Sequence, residues 1–271
     1  MSLLSTHSLA REIRREALKM VHRAKASHIG SALSITDILA VLYGDILNVD
    51  PKDPDFNNRD RFILSKGHSC VAVYATLASL GFFPKDQLNT YGNDFSWLMN
   101  HISHHVPGVE FSTGSLGHGL PFGAGKALSA KSLGQNWRTY VLLSDGEMDE
   151  GSNWEALMFA AHHKLSNLVA IIDYNNLQSL DTVDNTLGLE PFSKKLDSFG
   201  WQVHEVNGHD HHEIKAALKS VEKSMKPTAI IAHTTKGKGV SFMENSVDWH
   251  YKNPNDEQLA KALAELDQNH A

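Results

Sequence analysis

Residues 143–154, LSDGEMDEGSNW, together with DYNN at 173–176, decide how this chain is read. The apolar run TYVLLS (139–144) ends just before Asp145, and a second run, LVAIID (168–173), ends just before Asn175. Between them NWEALMFAAHHKL (153–165) carries helical periodicity. A strand, a crossover helix and a second strand of these lengths form two adjacent parallel strands. Ligands of open parallel sheets bind beyond the carboxyl ends of the strands. Asp145 and Asn175 are therefore expected at one sheet edge, within reach of one ion. A carboxylate, an amide oxygen and a backbone carbonyl just after Asn175 make a hard-oxygen set. It suits Mg²⁺ or Ca²⁺ and leaves places for phosphate oxygens and water. Zinc would call for His or Cys ligands, and none stand at such a spacing. Gly146 lets the backbone approach a ligand closely. Each feature alone also fits an ordinary turn, and Glu147 to Glu150 fit charges favoured at a helix N-terminus. The combination at strand–helix–strand spacing points to a ligand.

Outward from this core, further strands are expected at FILS (62–65), WQVHEV (201–206) and TAIIAHT (228–234). Helical periodicity falls at about 6–25, 34–46, 68–80, 118–133, 210–224 and 256–267. Several strands are apolar on both faces, as in a parallel sheet covered by helices. The expected fold class is α/β, a mostly parallel sheet with helices on both faces, as a single domain over 1–271. The chain has 271 residues, 41% hydrophobic, enough for a sizeable core. A net charge of -6 argues against a nucleic-acid binder. One cysteine, Cys70, excludes an internal disulfide framework and points to a reducing, cytoplasmic compartment. The first twenty residues read as an amphipathic helix rather than a signal peptide. No stretch reaches the roughly 18 apolar residues of a membrane span.

Residues 144–176, from SDGEMDEG to DYNN, resemble the thiamine diphosphate fingerprint, Gly-Asp-Gly followed about 30 residues later by Asn, and most closely that of transketolases. Ser144 replaces the first Gly. The resemblance implies that Asp145, Asn175 and the Leu177 carbonyl hold Mg²⁺ (with Ca²⁺ or Mn²⁺ as substitutes), and that Gly146 lies against the diphosphate. It extends over nearly the whole chain. ASHIGSALSITDILAVLY (26–43) is similar to the family's Gly-His-Pro-Gly segment, with Ser27 and Ile29 in place of Gly and Pro, and makes His28 a substrate-side histidine. DRFILSKGHSCVAVYATL (60–77) matches a strand, turn and helix that place His68 at a helix N-terminus, where phosphate binds readily. In NHISHHVPGVEFSTGSLGHGLPFGAGKAL (100–128) the backbone at Gly114 and Leu116 would support the cofactor's central region. His101 aligns with a substrate-side histidine, with His104 and His105 as alternatives. The glycines there match neither a dinucleotide fingerprint nor a P-loop. In HTTKGKGVSFMENSVDWHYKNPN (233–255), His250 corresponds to a site histidine, with Tyr251 in place of Gly. His28, His101 and His250 are thus the catalytic set. His68, Gly114, Leu116, Asp145, Gly146, Glu150, Glu155, Asn175 and His250 are the cofactor set, Glu150 by way of a subunit interface. Lys236 and Lys238 read as a solvated basic loop, and Glu147 and Asp149 have no assigned task.

The resemblance is to the N-terminal part of transketolases. The family's pyrimidine-binding and C-terminal domains have no counterpart in these 271 residues. The glutamate that activates the cofactor and the arginines that grip sugar phosphate belong to those domains. The expectation is one subunit of a split, thiamine diphosphate- and Mg²⁺-dependent transketolase. It would pair with a C-terminal subunit in a heterotetramer and move a two-carbon ketol unit from a ketose, or its phosphate, to an aldose. Two other readings stay open: a subunit of another thiamine diphosphate enzyme (deoxyxylulose-phosphate synthase-like or 2-oxo acid decarboxylating), and a noncatalytic cofactor-binding module.

Overall fold

The structure is a computed structural model that describes residues 5–268. Its centre is a five-stranded, wholly parallel sheet. The strands are β1 (Arg61–Leu64), β2 (Thr139–Ser144), β3 (Leu168–Tyr174), β4 (Gln202–Asn207) and β5 (Thr228–His233), in the spatial order β1-β2-β3-β5-β4. The helices are α1 (Thr6–Ala24), α2 (Ile29–Ser34), α3 (Thr36–Val41), α4 (Cys70–Leu80) and α5 (Gly119–Ser132), then α6 (Gly151–His162), α7 (Val183–Leu187), α8 (Phe192–Ser198), α9 (His211–Ser220) and α10 (Asp256–Gln268).

Side chains of a strand alternate between the two faces of its sheet. That alternation sorts the apolar residues into two cores. Tyr140, Leu142, Val169, Ile171 and Ile230 face one side, where α1 to α4, α9 and α10 cover them. Val141, Leu143, Ala170, Ile172, Ala229 and Ile231 face the other, under α5, α6 and α8. A strand buried on both faces carries no polar alternation, which is why these runs read as continuously apolar.

The five expected strands are all present, and the expected helices occur with shifted ends. Residues 34–46 are not one helix: α3 is followed by a π-helical turn at Leu42–Ile46, and α2 precedes it as a separate short helix. α2, α7 and α8, of six, five and seven residues, stand outside the expected set. Elements this short carry too few turns for a periodic signal. α1 ends where Lys25 adopts a left-handed conformation (φ 51°) as its cap. Among the described residues no helix is long and apolar enough to cross a membrane.

Candidate active site

β2 and β3 pair with Ser144 opposite Asp173, so the residues that follow each strand emerge side by side. Asp145 and Asn175 are both buried there. The Asp145 carboxylate accepts from the Gly146 N–H at 2.8 Å and from the Asn176 N–H at 2.5 Å. Asn176 makes the second bond possible by adopting a left-handed backbone (φ 61°), which Asn tolerates. The Asn175 amide oxygen accepts from the Leu177 N–H at 3.1 Å. Burial, and then the charge of Asp173, push the Asp145 carboxyl up to about 7. A buried carboxylate compensated mainly by backbone dipoles is a site of excess negative potential. A Cβ on Gly146 would come within 2.8 Å of the Gln178 side chain, which would have to shift to admit it.

These residues line a cavity of about 210 Å³. His28, His68, His101 and His250 line it as well, with Gly114, Leu116, Gly146 and Leu177. Ring centroids lie 4.9 Å apart for His28 and His250, 5.1 Å for His28 and His68, and 5.9 Å for His28 and His101. The structure therefore gathers, from separate stretches of chain, every histidine expected at the site. His101, not His104 or His105, is the member that lines the cavity; the other two pack against each other with tilted rings, centroids 4.3 Å apart, in an exposed loop. Burial, followed by neighbouring His101 and the lysines, lowers His28 to about 4. Burial and Lys236 lower His250 to about 3. His68 lies well below its ordinary value, and His101 is also lowered, both through burial first. The cluster is uncharged at neutral pH.

Glu150 and Glu155 are not brought to the cavity: both are exposed, and neither lines it. Glu150 instead packs behind the 114–117 loop, where a Cβ on Gly117 (φ 81°) would lie 2.7 Å from the Glu150 Cβ.

Five residues without an expected role bond in and around the cavity. Lys66 and Asp173, both fully buried, form an ion pair at the ends of β1 and β3. Burial works against the Asp173 charge, but Lys66, Thr234 and Ser34 outweigh it and hold the carboxyl below its usual range. A single Lys and a single Asp at the ends of apolar strands must find partners, because a lone buried charge is too costly. That signal is legible in the sequence. Lys236, read as solvated, is 1% exposed. Its ammonium donates to the Gln178 carbonyl at 2.8 Å and the Leu177 carbonyl at 3.3 Å, and meets His250 Nδ1 at 3.2 Å. Burial, then Lys66, lower it to about 8. Because His250 Nδ1 faces an ammonium donor, it is the accepting nitrogen, and Nε2 carries the proton. Glu147 is 0% exposed and ties three loops: it accepts from the Ser65 hydroxyl, from the Gly117 N–H at 2.9 Å and from the Ser144 N–H at 3.4 Å. Asp149 accepts from Gln178 Nε2 at 2.9 Å.

The same loops show where small residues are indispensable. A Cβ on Gly119 would sit 2.8 Å from the Ser65 Cα and against its hydroxyl, the group that bonds both Glu147 and the Gly119 N–H. Gly119→Ala is expected to lower the unfolding free energy by about 1–3 kcal/mol, measured by urea denaturation. An unchanged midpoint would show that this joint relaxes freely.

The family described as transketolase, thiamine diphosphate binding domain, matches residues 5–270. The chain belongs to that family. It is 44% identical over 254 residues to a subunit of the apulose-4-phosphate transketolase of Phocaeicola vulgatus, covering 93% of this chain and 90% of that protein. It is 37% identical over 260 residues to the 6-deoxy-6-sulfo-D-fructose transketolase subunit SqwG of a Clostridium species, covering 95% and 94%. Among solved structures it matches Campylobacter jejuni transketolase with a TM-score of 0.93 and 33% identity. The match covers 98% of this chain and 43% of that one, so the chain spans less than half the length of a full transketolase.

Proposed function

We propose that this chain, as a single diphosphate-binding domain, is the N-terminal subunit of a two-subunit transketolase. Thiamine diphosphate and Mg²⁺ would be its cofactors, and a separate pyrimidine-binding subunit its partner, two of each in the assembly. The observation that carries this reading is one cavity uniting the Asp145–Asn175–Leu177 oxygen set with four uncharged histidines. Relatives of matching length are named as transketolase subunits, which supports a division of the enzyme between two chains.

Among the described residues no group of three or more His, Cys, Asp or Glu side chains stands ready to hold a metal. The proposed donor set is of another kind: one carboxylate, one amide and one backbone carbonyl. It fits a hard cation that shares its remaining positions with phosphate oxygens and water. The raised Asp145 is the physical sign of that fit, since a cation would relieve the potential that holds its proton. When bound, thiamine diphosphate supplies the carbon nucleophile that breaks a C–C bond next to a ketose carbonyl. The chain's own residues bind and orient. Asp145, Asn175 and the Leu177 carbonyl hold the cation. Gly146 and His68 lie along the diphosphate, and Gly114 and Leu116 along the middle of the cofactor. His28, His101 and His250 face sugar hydroxyls and carbonyl as neutral donors and acceptors. Glu150 and Glu155 act from outside the cavity, at a subunit contact.

The decisive assay mixes this chain with a complementary pyrimidine-binding transketolase subunit. Ketol transfer from a ketose phosphate to an aldose is expected only in the mixture. Mg²⁺-dependent cofactor binding with no activity in any mixture would instead identify a noncatalytic module. Cofactor affinity also has an expected pH dependence. Asp145 must lose its proton to take a cation, so apparent affinity falls as pH drops below about 7. Titration calorimetry at pH 6 and 8 measures this; equal affinities would separate Asp145 from the metal.

A further inference from the structure

Behind the cavity wall lies a second buried cluster, built on residues the proposed chemistry does not use. Asp37 of α3 is 6% exposed and accepts four hydrogen bonds. Two come from Arg14 of α1, at 3.0 and 2.6 Å. One comes from His209 Nδ1 at 2.7 Å and one from His211 Nε2 at 3.1 Å. Burial opposes the Asp37 charge, and Arg14 with the two histidines outweighs it, holding the carboxyl well below its usual range.

Two bonds lead from this cluster to the segment after β5. His209 Nε2 accepts from the Thr235 N–H at 2.8 Å, so Nδ1 carries the ring proton and donates to Asp37. Arg14 Nε donates to the Lys238 carbonyl at 3.1 Å. The segment is held on both sides of Lys236. On its other face, Thr234 Oγ1 donates to Asp173, and the Gly237 N–H donates to the Gly30 carbonyl at 2.9 Å. Lys236 thereby points at the Leu177 and Gln178 carbonyls and at His250.

A buried ion pair of this kind contributes little net stability against a well-packed apolar replacement. What it supplies is geometry. The geometry points to Asp37, Arg14 and His209 as positioning residues that set the 234–238 segment, and through it Lys236, at the cofactor edge of the cavity. The effect on cofactor binding rests on the function proposed above; the effect on the segment does not.

Two variants of His209 separate positioning from mere support. In His209→Asn the carboxamide nitrogen stands near the place of Nδ1 and keeps the bond to Asp37, but falls short of Thr235. In His209→Gln the carboxamide reaches the place of Nε2 and offers an oxygen to the Thr235 N–H. Hydrogen exchange of the full chain, and thiamine diphosphate affinity in Mg²⁺ with the complementary subunit present, are measured for both. His209→Asn is expected to speed exchange of the Thr235 amide about tenfold, leave β3 and α4 protected, and weaken thiamine diphosphate about tenfold. His209→Gln is expected to return both quantities to within about threefold of wild type. The inference is overturned if His209→Asn matches wild type, if Gln does no better than Asn, or if exchange rises throughout the fold. Should wild type bind no thiamine diphosphate, the functional reading falls while the exchange data still decide the positioning role.

Discussion

Asp145→Ala is expected to abolish Mg²⁺-dependent binding of thiamine diphosphate. Groups one step removed from a metal ligand typically cost about 10–100-fold in affinity when mutated, and the anionic ligand itself costs more. Calorimetry with and without chelator reads the loss; unchanged affinity would refute the metal assignment. Stability should respond in the opposite direction. The Asp145 carboxyl is raised from 3.8 to about 7, so the folded chain holds this proton more tightly than the unfolded one. Its contribution to stability is full below about pH 4 and is lost as pH rises through about 7. The ionised side chain therefore opposes folding at pH 8. The change in melting temperature on Asp145→Ala is expected to be more favourable at pH 8 than at pH 5. A pH-independent difference would mean that the carboxyl is not strained in the folded chain.

Lys66→Met is expected to cause the largest loss of stability of any single change at the site. It leaves Asp173, 0% exposed, as an uncompensated buried charge, and such breaks cost about 3–5 kcal/mol. For a chain of this size that is a fall of roughly 10 °C in melting temperature. Adding Asp173→Asn removes the stranded charge, and the double variant is expected to recover more than half of the loss. If the two changes simply add, the two side chains are not energetically coupled across the strand ends. High salt is expected to alter neither result much, because a pair this buried is poorly screened.

The parts of this molecule that are legible from sequence are those governed by local periodicity. TYVLLS and LVAIID announce a pair of doubly buried strands, and the helix between them dictates that Asp145 and Asn175 meet. The cavity histidines follow from resemblance in flanking motifs, except that these leave His104 and His105 open beside His101, and only the fold places His101 alone of the three in the cavity. What escapes depends on contacts between distant segments. Lys236 sits in a run, TTKGKG, that looks like any basic surface loop, and its partners are the backbone carbonyls of Leu177 and Gln178. Carbonyls leave no mark in a sequence. Glu147 likewise stands among acids that all suit a helix start, yet it is the one that turns inward to Ser65 and Gly117. Lys66 and Asp173 are the exception, since a charge closing an apolar strand predicts a counter-charge.

The histidine quartet has a consequence for how the cavity responds to acidity. With His250 near 3, His28 near 4 and the other two also lowered, the rings keep one protonation state across the neutral range. They behave as fixed dipoles, a silent lining rather than a set of switches. A pH profile measured at this cavity that bends near neutrality would then report Asp145, raised to about 7, or Lys236, lowered to about 8, and these rings would contribute only the constant background against which it bends.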